Sequence, residues 1–443
     1  MKETQGSENV LTKIQRVAEV SKQAPEVALT TLAHHIDMEF LKDAHRRTRK
    51  DGAVGVDGED STAYAENLET NLQSLLERFK AGSYKAPPVR RTYIPKGDGS
   101  GRQRELGIPT FEDKILQRAV TMVLEAVYEQ EFYDFSYAYR PGRTQHQALQ
   151  RIWEGVMRMG GGWLLEVDIQ DCFGSLNHQH LRACLDKRVR DGVIRKAIDK
   201  WLKAGIWEAG QVEHPETGTP QGGVISPLLS NIYLHEVIDT WFDKEVKPRM
   251  YSESFMIRWA DDIVIVFANE VDAKRVQTVL PKRFEKYGLT VHPTKTKLTE
   301  FRRPNTTDKE GKGKFDFLGF THFWAKSRNG KWIIRRKTAS KRLSSRVQAV
   351  TEWCRRNRSE RLRDQWETLC LKIRGHYQYY GITGNIQSLE MFLYQVKRGW
   401  FKWLNRRSQK KSLNWDDFKR LMELRPLPQP KITHSYLKAR PTS

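Results

Sequence analysis

The sequence predicts an α+β fold, and three observations carry that reading. Phe255 to Phe267 consists of two apolar and β-branched runs interrupted by Asp261 and Asp262, the pattern of a β-hairpin with two carboxylates at its turn. Trp163 to Ile169 is a second mostly apolar run and delivers Asp168 at its end, on a strand of the same sheet. Helical spacing marks both ends of the chain, with Val10, Ile14, Val17 and Val20 near the start and three apolar stripes after Thr338.

The composition is globular, and 443 residues hold about three domains of ordinary size. The formal charge of +22 is unevenly spread: Lys326 to Ser443 carries 29 Lys or Arg against 8 Asp or Glu, a surplus of 21, which leaves the preceding chain almost neutral. A helical region with that surplus fits a polyanion held through phosphate contacts, with a steep dependence on salt; a solvated charged face is the plain alternative. Cys172, Cys184, Cys354 and Cys370 lie far apart and form no Cys-x-x-Cys pair, which argues against a zinc site or disulfide framework. No apolar leader is present and no apolar run approaches the roughly 18 residues that span a bilayer. A soluble, cytoplasmic protein without a membrane partner is expected.

Adjacent carboxylates on an apolar hairpin repel each other unless a cation lies between them. A lone Asp-Asp turn is ordinarily just solvated, but Asp168 adds a carboxylate from a neighbouring strand. Such an oxygen-rich site suits Mg²⁺, which keeps positions for water and substrate phosphates. Two such ions clamp the attacking and leaving oxygens of a phosphoryl transfer, so the pattern points to nucleotidyl transfer.

Asp168 with Phe173 five residues on, then Gly218-Thr219-Pro220-Gln221-Gly222-Gly223-Val224-Ile225-Ser226-Pro227, then Ala260-Asp261-Asp262, resembles the ordered motifs of a reverse transcriptase. The Pro-Gln-Gly stretch and its flanks are similar to proteins encoded by bacterial and organellar group II introns. The resemblance implies an α+β right-hand polymerase, with an N-terminal helical extension over 1–50, fingers over 51–145 and a palm with antiparallel β-sheet over 146–330. An α-helical thumb or maturase domain over 331–411 and a tail over 412–443 complete it. The implied reaction is attack of a DNA primer 3′-hydroxyl on the α-phosphate of a deoxynucleoside triphosphate, directed by an RNA template. Asp168, Asp261, Asp262 and the backbone carbonyl of Ile169 would hold two Mg²⁺ ions, for which Mn²⁺ substitutes.

The remaining elements follow in chain order. Leu29, Leu32, Ile36 and Phe40 continue the helical spacing after Pro25, and Lys42, Arg46, Arg47, Arg49 and Lys50 form either a template-gripping or a solvated helix end. The Gly-rich loop Gly52 to Gly58 lacks the Gly-Lys-Ser/Thr ending of a P-loop. Tyr93 to Pro109 reads as a hairpin with cations on both arms; the resemblance assigns Lys96 and Arg104 to the triphosphate. Asp113 to Val127 is a helix with Ile115, Ala119, Met122 and Ala126 on one side. Arg140 and Arg143 are either nucleic-acid or triphosphate contacts, or structural ion pairs. Phe173 would be a core residue on its own evidence; by resemblance it is the ring that collides with a ribose 2′-hydroxyl. The resemblance implies that Gln221 hydrogen-bonds the nucleotide, and a helix is expected from about Pro227 to Glu245. It also implies that Lys295 lies near the departing pyrophosphate as general acid or fixed charge. Phe315 to Phe320 forms a primer-grip-like turn. The sequence departs from the family pattern at Gln170, Gly174 and Trp259, where Lys, Asp or Asn, and Tyr are usual.

After Thr338 the stripes Leu343-Val347-Val350-Cys354, Leu362-Trp366-Leu369-Ile373 and Ile386-Leu389-Leu393-Val396 predict three helices with cations outside. Leu371 to Gly381 and Trp403 to Lys410 match the maturase domain, which implies that Arg374, His376, Tyr377, Arg406, Arg407 and Lys410 bind nucleic acid by stacking and phosphate contacts. Many family members continue into a DNA-binding region and an endonuclease, and this sequence resembles the form without them. The expected partners are template RNA, a cognate group II intron RNA, and DNA primer or target; the location is the bacterial cytoplasm or an organelle. Two other readings stay open: an RNA-binding splicing cofactor with a decayed polymerase site, and a host enzyme of repair or phage defence.

Overall fold

A computed structural model describes residues 2–95, 101–208, 210–214, 216–305, 308, 310–311, 313–407 and 413–435. Helices α1 (Lys2–Gln23), α2 (Met38–Arg47), α3 (Ser61–Glu66) and α4 (Leu68–Lys80) lead to strands β1 (Val89–Pro95) and β2 (Gln103–Ile108). Helices α5 (Phe111–Tyr128) and α6 (Gln145–Met159), strands β3 (Gly161–Val167) and β4 (Ile169–Gln170), and helices α7 (His178–Asp186) and α8 (Gly192–Leu202) follow. Next come β5 (Ile206–Glu208), β6 (Gln211–Glu213), α9 (Ser226–Leu234), β7 (Ser254–Trp259), β8 (Asp262–Phe267) and α10 (Glu270–Glu285). The chain continues through β9 (Thr290–Val291), β10 (Lys297–Arg302), β11 (Lys314–Phe317), β12 (Phe320–Lys326) and β13 (Trp332–Thr338) to α11 (Ser340–Arg356), α12 (Leu362–Tyr380), α13 (Ile386–Leu404) and α14 (Trp415–Leu424). No helix among the described residues is long and apolar enough to cross a membrane.

Two compact units emerge, the first comprising Met1–Ile94, Gln103–Ala148 and Leu164–Leu298, the second Pro95–Arg102, Leu149–Trp163 and Thr299–Ser443. In the first, α5 is the central helix. Its side chains Ile115, Leu116, Ala119, Val120, Val123, Leu124 and Val127 are all buried, so the single apolar stripe read from the sequence is only part of a wider buried surface, which also takes in the polar Asp113, Gln117 and Thr121. Its start is set by Thr110, whose hydroxyl accepts from the Asp113 amide at 3.3 Å, an N-cap.

Two sheets position the chemistry. One has the order β10-β3-β8-β7; the other, β2-β1-β5-β6, joins the predicted β1–β2 hairpin to a hairpin the sequence did not reveal. Strand β5 runs parallel to β1, with Val89 opposite Ile206, and Arg91 ties the three segments together through Glu208 at 2.6 Å and Glu213 at 2.9 Å.

Two helix expectations need correction. The stretch from Leu29 to Phe40 is not one helix: Leu29 exchanges backbone hydrogen bonds with Arg188 and Arg190, and α2 starts only after Asp37, whose carboxylate accepts from the Phe40 amide at 3.0 Å. The helix expected over Pro227 to Glu245 exists but widens into π-helical turns over His235–Asp239 and Phe242–Val246. Arg283 of α10 donates to the Glu236 and Val237 carbonyls at 3.0 and 2.9 Å, offering a partner outside the helix to carbonyls of the ladder.

The second unit contains the antiparallel sheet β11-β12-β13. Leu318 and Gly319, at φ 48° and 79°, form the two-residue turn between β11 and β12, as a primed hairpin turn requires. The three predicted helices are present as α11, α12 and α13, with Val350, Cys354, Leu369, Ile373, Leu389, Leu393 and Val396 buried. Trp400 is fully buried and donates to Gln365 at 3.0 Å. Helix α14 has no counterpart among the expected elements.

Candidate active site

The hairpin β7–β8 is antiparallel, with Trp259 opposite Asp262. Its turn therefore consists of Ala260 and Asp261, one position earlier than the sequence pattern places it, and Ala260 takes the positive φ of 54° that such a turn demands. Below the turn lies Arg258, wholly buried. Its guanidinium donates to both carboxylate oxygens of Asp239 at 2.7 and 2.6 Å, to Asn231 at 2.9 Å and to the Ala260 carbonyl at 3.3 Å. The hairpin tip is thus bolted to the helix behind it by one bidentate pair. The Arg258 backbone also pairs with Phe135 and Tyr137, and Asn231 donates to the Ala138 carbonyl at 2.7 Å. These bonds place Tyr139, half exposed, beside the tip, where partial desolvation and then the charge of Asp261 push its hydroxyl above the usual tyrosine range.

Asp168 directly follows β3. A tight loop encloses it: the His292 amide donates to the Asp168 carbonyl at 2.8 Å, the Thr296 hydroxyl accepts from its amide at 3.2 Å, and Lys295 Nζ reaches its carboxylate at 2.9 Å. Burial first, and then the charge of Asp168, push the Asp261 carboxyl above the ordinary range, with Arg104 and Lys295 opposing. Asp168, Asp261, Arg104 and Lys295 therefore share one electrostatic cluster, drawn from β2, the end of β3, the hairpin turn and the loop after β9.

Asp262 is exposed at the start of β8, and among the described residues no three His, Cys, Asp or Glu side chains converge tightly enough to hold a metal ion. The donor chemistry nonetheless fits a hard cation. Asp261 is an oxygen donor whose ionised form is short of positive charge, beside a second carboxylate, and Mg²⁺ prefers one or two carboxylates plus substrate phosphates to an all-protein cage. Ile169, with its side chain buried, pairs with Val291 in the β4–β9 ribbon.

Phe173 is half-buried in the turn that follows β4. Its carbonyl accepts from the Thr219 amide at 2.9 Å and the Leu176 carbonyl from the Gly218 amide at 2.8 Å, which docks this turn onto the Gly218–Gly223 loop. A Cβ at Gly174 would come within 2.1 Å of Asp171 Oδ2, and one at Gly218 within 2.8 Å of the Gly174 backbone. The close crossing requires glycine at 218, whereas a Cβ at 174, where the family pattern has Asp or Asn, would meet the Asp171 side chain of its own turn. On the other side the Gly107 amide donates to the Gln221 carbonyl at 2.7 Å, so β2, carrying Arg104, is stitched to the loop carrying Gln221.

A family model described as reverse transcriptase (RNA-dependent DNA polymerase) matches residues 94–322, a stretch that contains every element of this cluster. The chain belongs to the reverse transcriptase family. The group II intron-encoded protein LtrA of Lactococcus lactis subsp. cremoris is 41% identical over 192 residues, 42% of this chain and 31% of the relative. Protein YkfC of Escherichia coli strain K12 is 36% identical over 220 residues, 48% of this chain and 56% of the relative. An uncharacterized 91 kDa protein in the cob intron of Schizosaccharomyces pombe is 27% identical over 348 residues, 66% of this chain and 42% of the relative. In each case the match spans less than two thirds of the relative's own length.

The other assigned residues divide by surroundings. Arg140 is a structural ion-pair residue, buried against Glu129 at 3.0 Å and the Tyr133 and Ser136 carbonyls at 2.7 Å. Arg143 pairs with Asp134 at 2.6 Å. In the second unit Arg374, Arg406 and Arg407 are exposed, with Arg406 over the Trp403 ring at 5.2 Å. Of the residues that the resemblance offered as nucleic-acid contacts, His376, for which packing was the alternative, and Tyr377 both lie in the core. His376 is buried and stacked on Phe392 with centroids 3.7 Å apart, and burial pushes its pKa down to about 3. Tyr377 is buried and its hydroxyl donates to the Pro428 carbonyl at 3.2 Å. Aromatics interleaved with cations look alike in sequence whether they face a base or a core. Lys96 and Lys410 lie outside the described residues. Arg258 is the structural residue that sequence reasoning missed, although a lone arginine in an apolar strand next to two aspartates is a signal for a buried pair.

Proposed function

We propose that this protein is an RNA-directed DNA polymerase that extends a DNA primer on an RNA template and also holds an intron RNA to assist splicing and mobility. The observation that carries the reading is geometric: within the stretch that matches the reverse transcriptase family, Asp168 ends β3 with Lys295 at 2.9 Å, and Asp261 sits in the turn of the β7–β8 hairpin of the same sheet. Asp168 and Asp261, with Asp262 and the Ile169 carbonyl completing the set, would hold two Mg²⁺ ions. Bound there, Mg²⁺ or Mn²⁺ supplies the Lewis-acid charge that nucleotidyl transfer requires.

The protein's own groups do the rest. Arg104, with Lys96, neutralises the triphosphate. Phe173 excludes the ribose 2′-hydroxyl, and Gln221 orients the nucleotide. Lys295, paired with Asp168, is positioned to turn toward the departing pyrophosphate once the carboxylate has another cation to balance it. Residues 51–145 serve as fingers, 146–330 as palm and 331–411 as thumb and RNA-binding domain. Intron RNA as a partner is supported by the names of the relatives and by the basic second unit. Such a partner puts the protein where that RNA is made, in the bacterial cytoplasm or an organelle.

The test is extension of a DNA primer on an RNA template with Mg²⁺, comparing deoxy- and ribonucleotides. Extension with deoxynucleotides alone, lost in the Asp261→Ala, Asp262→Ala double variant, upholds the polymerase. No extension, with salt-sensitive RNA binding intact, replaces it by a splicing cofactor.

A further inference from the structure

Asp113 is almost completely buried at the start of α5 and has no role in the chemistry above. One carboxylate oxygen accepts from the Tyr84 hydroxyl at 2.5 Å and from Trp201 Nε1 at 2.6 Å. The other accepts from Gln117 Nε2 at 3.0 Å. Gln117 Oε1 in turn accepts from the amides of Val224 at 2.8 Å and Ile225 at 3.3 Å. The polarity of this chain is fixed throughout. An ionised carboxylate only accepts and a backbone N–H only donates, so the Gln117 amide has one possible orientation.

The loop held in this way is the one that carries the nucleotide contacts. Gln221 lies three residues before Val224, and Thr219 grips the Phe173 carbonyl. We propose that Asp113 and Gln117 are positioning residues that set the Gly218–Ile225 loop, and through it Gln221 and Phe173, for the incoming nucleotide. The inference rests on the polymerase reading, and it deepens that reading by tracing the nucleotide site to a buried relay about one helical turn of α5 in extent.

Reversing the relay tests it. In Asp113→Asn, Oδ1 still accepts from Tyr84 and Trp201, but Nδ2 faces Gln117. The Gln117 amide must then turn and present its NH₂ to the Val224 and Ile225 amides, donor against donor. In Gln117→Glu, two carboxylates face each other. The double variant Asp113→Asn, Gln117→Glu has the same total charge as the wild type and restores every donor–acceptor match, because the carboxylate introduced by Gln117→Glu accepts from both sides.

Two readouts are needed: KM for deoxynucleotide with kcat on a fixed template-primer, and hydrogen exchange at the Val224 and Ile225 amides in the full chain. Each single variant is expected to raise KM about tenfold with a smaller change in kcat and to speed exchange by a similar factor, as an unmatched buried group of about 1.4 kcal/mol would. The double variant returns both toward wild type. Unchanged exchange in folded single variants overturns the proposal, as does a raised KM that the double variant fails to restore. If the wild type extends no primer, the polymerase reading fails by itself, and exchange alone decides whether the relay holds the loop.

Discussion

A carboxyl shut away from water resists ionisation, and Asp113 shows the consequence for stability. Burial pushes it up to about 6 even though Tyr84, Trp201 and Gln117 pull it down. The unfolded chain loses this proton near pH ~3.9, so between there and about pH 6 the native state holds a proton that the unfolded state lacks. Stability contributed by Asp113 is therefore complete below that window and is lost as pH rises through it. Urea melts should show wild type losing on the order of 2–3 kcal/mol more than Asp113→Asn across the window; parallel curves would contradict the assignment. Phe173 carries the second expectation at this scale. Its half-buried ring is anchored through its carbonyl to Thr219, so Phe173→Ala opens space without releasing the turn. Removing an overlap of about 1–3 kcal/mol should lower discrimination against ribonucleotides by about 10–100-fold, read as the ratio of kcat/KM values. Asp168 and Asp261 were legible because a carboxylate at the end of an apolar strand conflicts with folding alone. Asp113 was not, since an aspartate in the first turn of a helix is an ordinary helix-dipole residue and nothing in the local sequence announces Tyr84 or Trp201 as its neighbours.

The β7–β8 hairpin was readable from alternation and turn chemistry, while its foundation was not. Arg258 and Asp239 are nineteen positions apart, and only the fold brings them into a pair in which both side chains are fully buried. Arg258→Met leaves Asp239 uncompensated, and the expected cost is about 3–5 kcal/mol in chemical melts. The double variant Arg258→Met, Asp239→Leu should recover most of that loss, because replacing both partners with apolar side chains removes the orphaned charge. A single variant as stable as the wild type would show that the pair does not anchor the hairpin. The β5–β6 hairpin escaped notice for a related reason. Ile206-Trp207-Glu208 and Gln211-Val212-Glu213 are three residues each, too short for period-two patterning to emerge, and they become strands by adding to β1. The first π-helical turn after α9 likewise has a distant partner, Arg283, whose guanidinium reaches the Glu236 and Val237 carbonyls from another helix. Elements set by their own sequence were visible; those set by a distant partner were not.

At the scale of the whole molecule, the uneven charge sets how the proposed nucleic-acid partner would be held. Of the +22 net charge, a surplus of 21 falls from Lys326 onward, and in the second unit the cations sit outside helices whose inner faces are apolar. Binding through such a surface is driven by counterion release, so its affinity falls with salt by a slope of about 0.9 per phosphate contact on a duplex. Arg374 and Arg406 are exposed, whereas Tyr377 between them in sequence is core and bonded to Pro428. The two kinds of residue should separate cleanly. Arg374→Gln with Arg406→Gln should lower the salt slope of RNA binding by about 2 with no change in melting, as two lost phosphate contacts require. Tyr377→Phe should leave the slope untouched and cost about 1 kcal/mol of stability through the lost hydrogen bond. Binding curves at several salt concentrations, paired with melts, read both quantities. If Tyr377→Phe changes the slope, or the double arginine variant does not, the RNA surface is not the exposed basic face of these helices, and a different side of the unit must hold the polyanion.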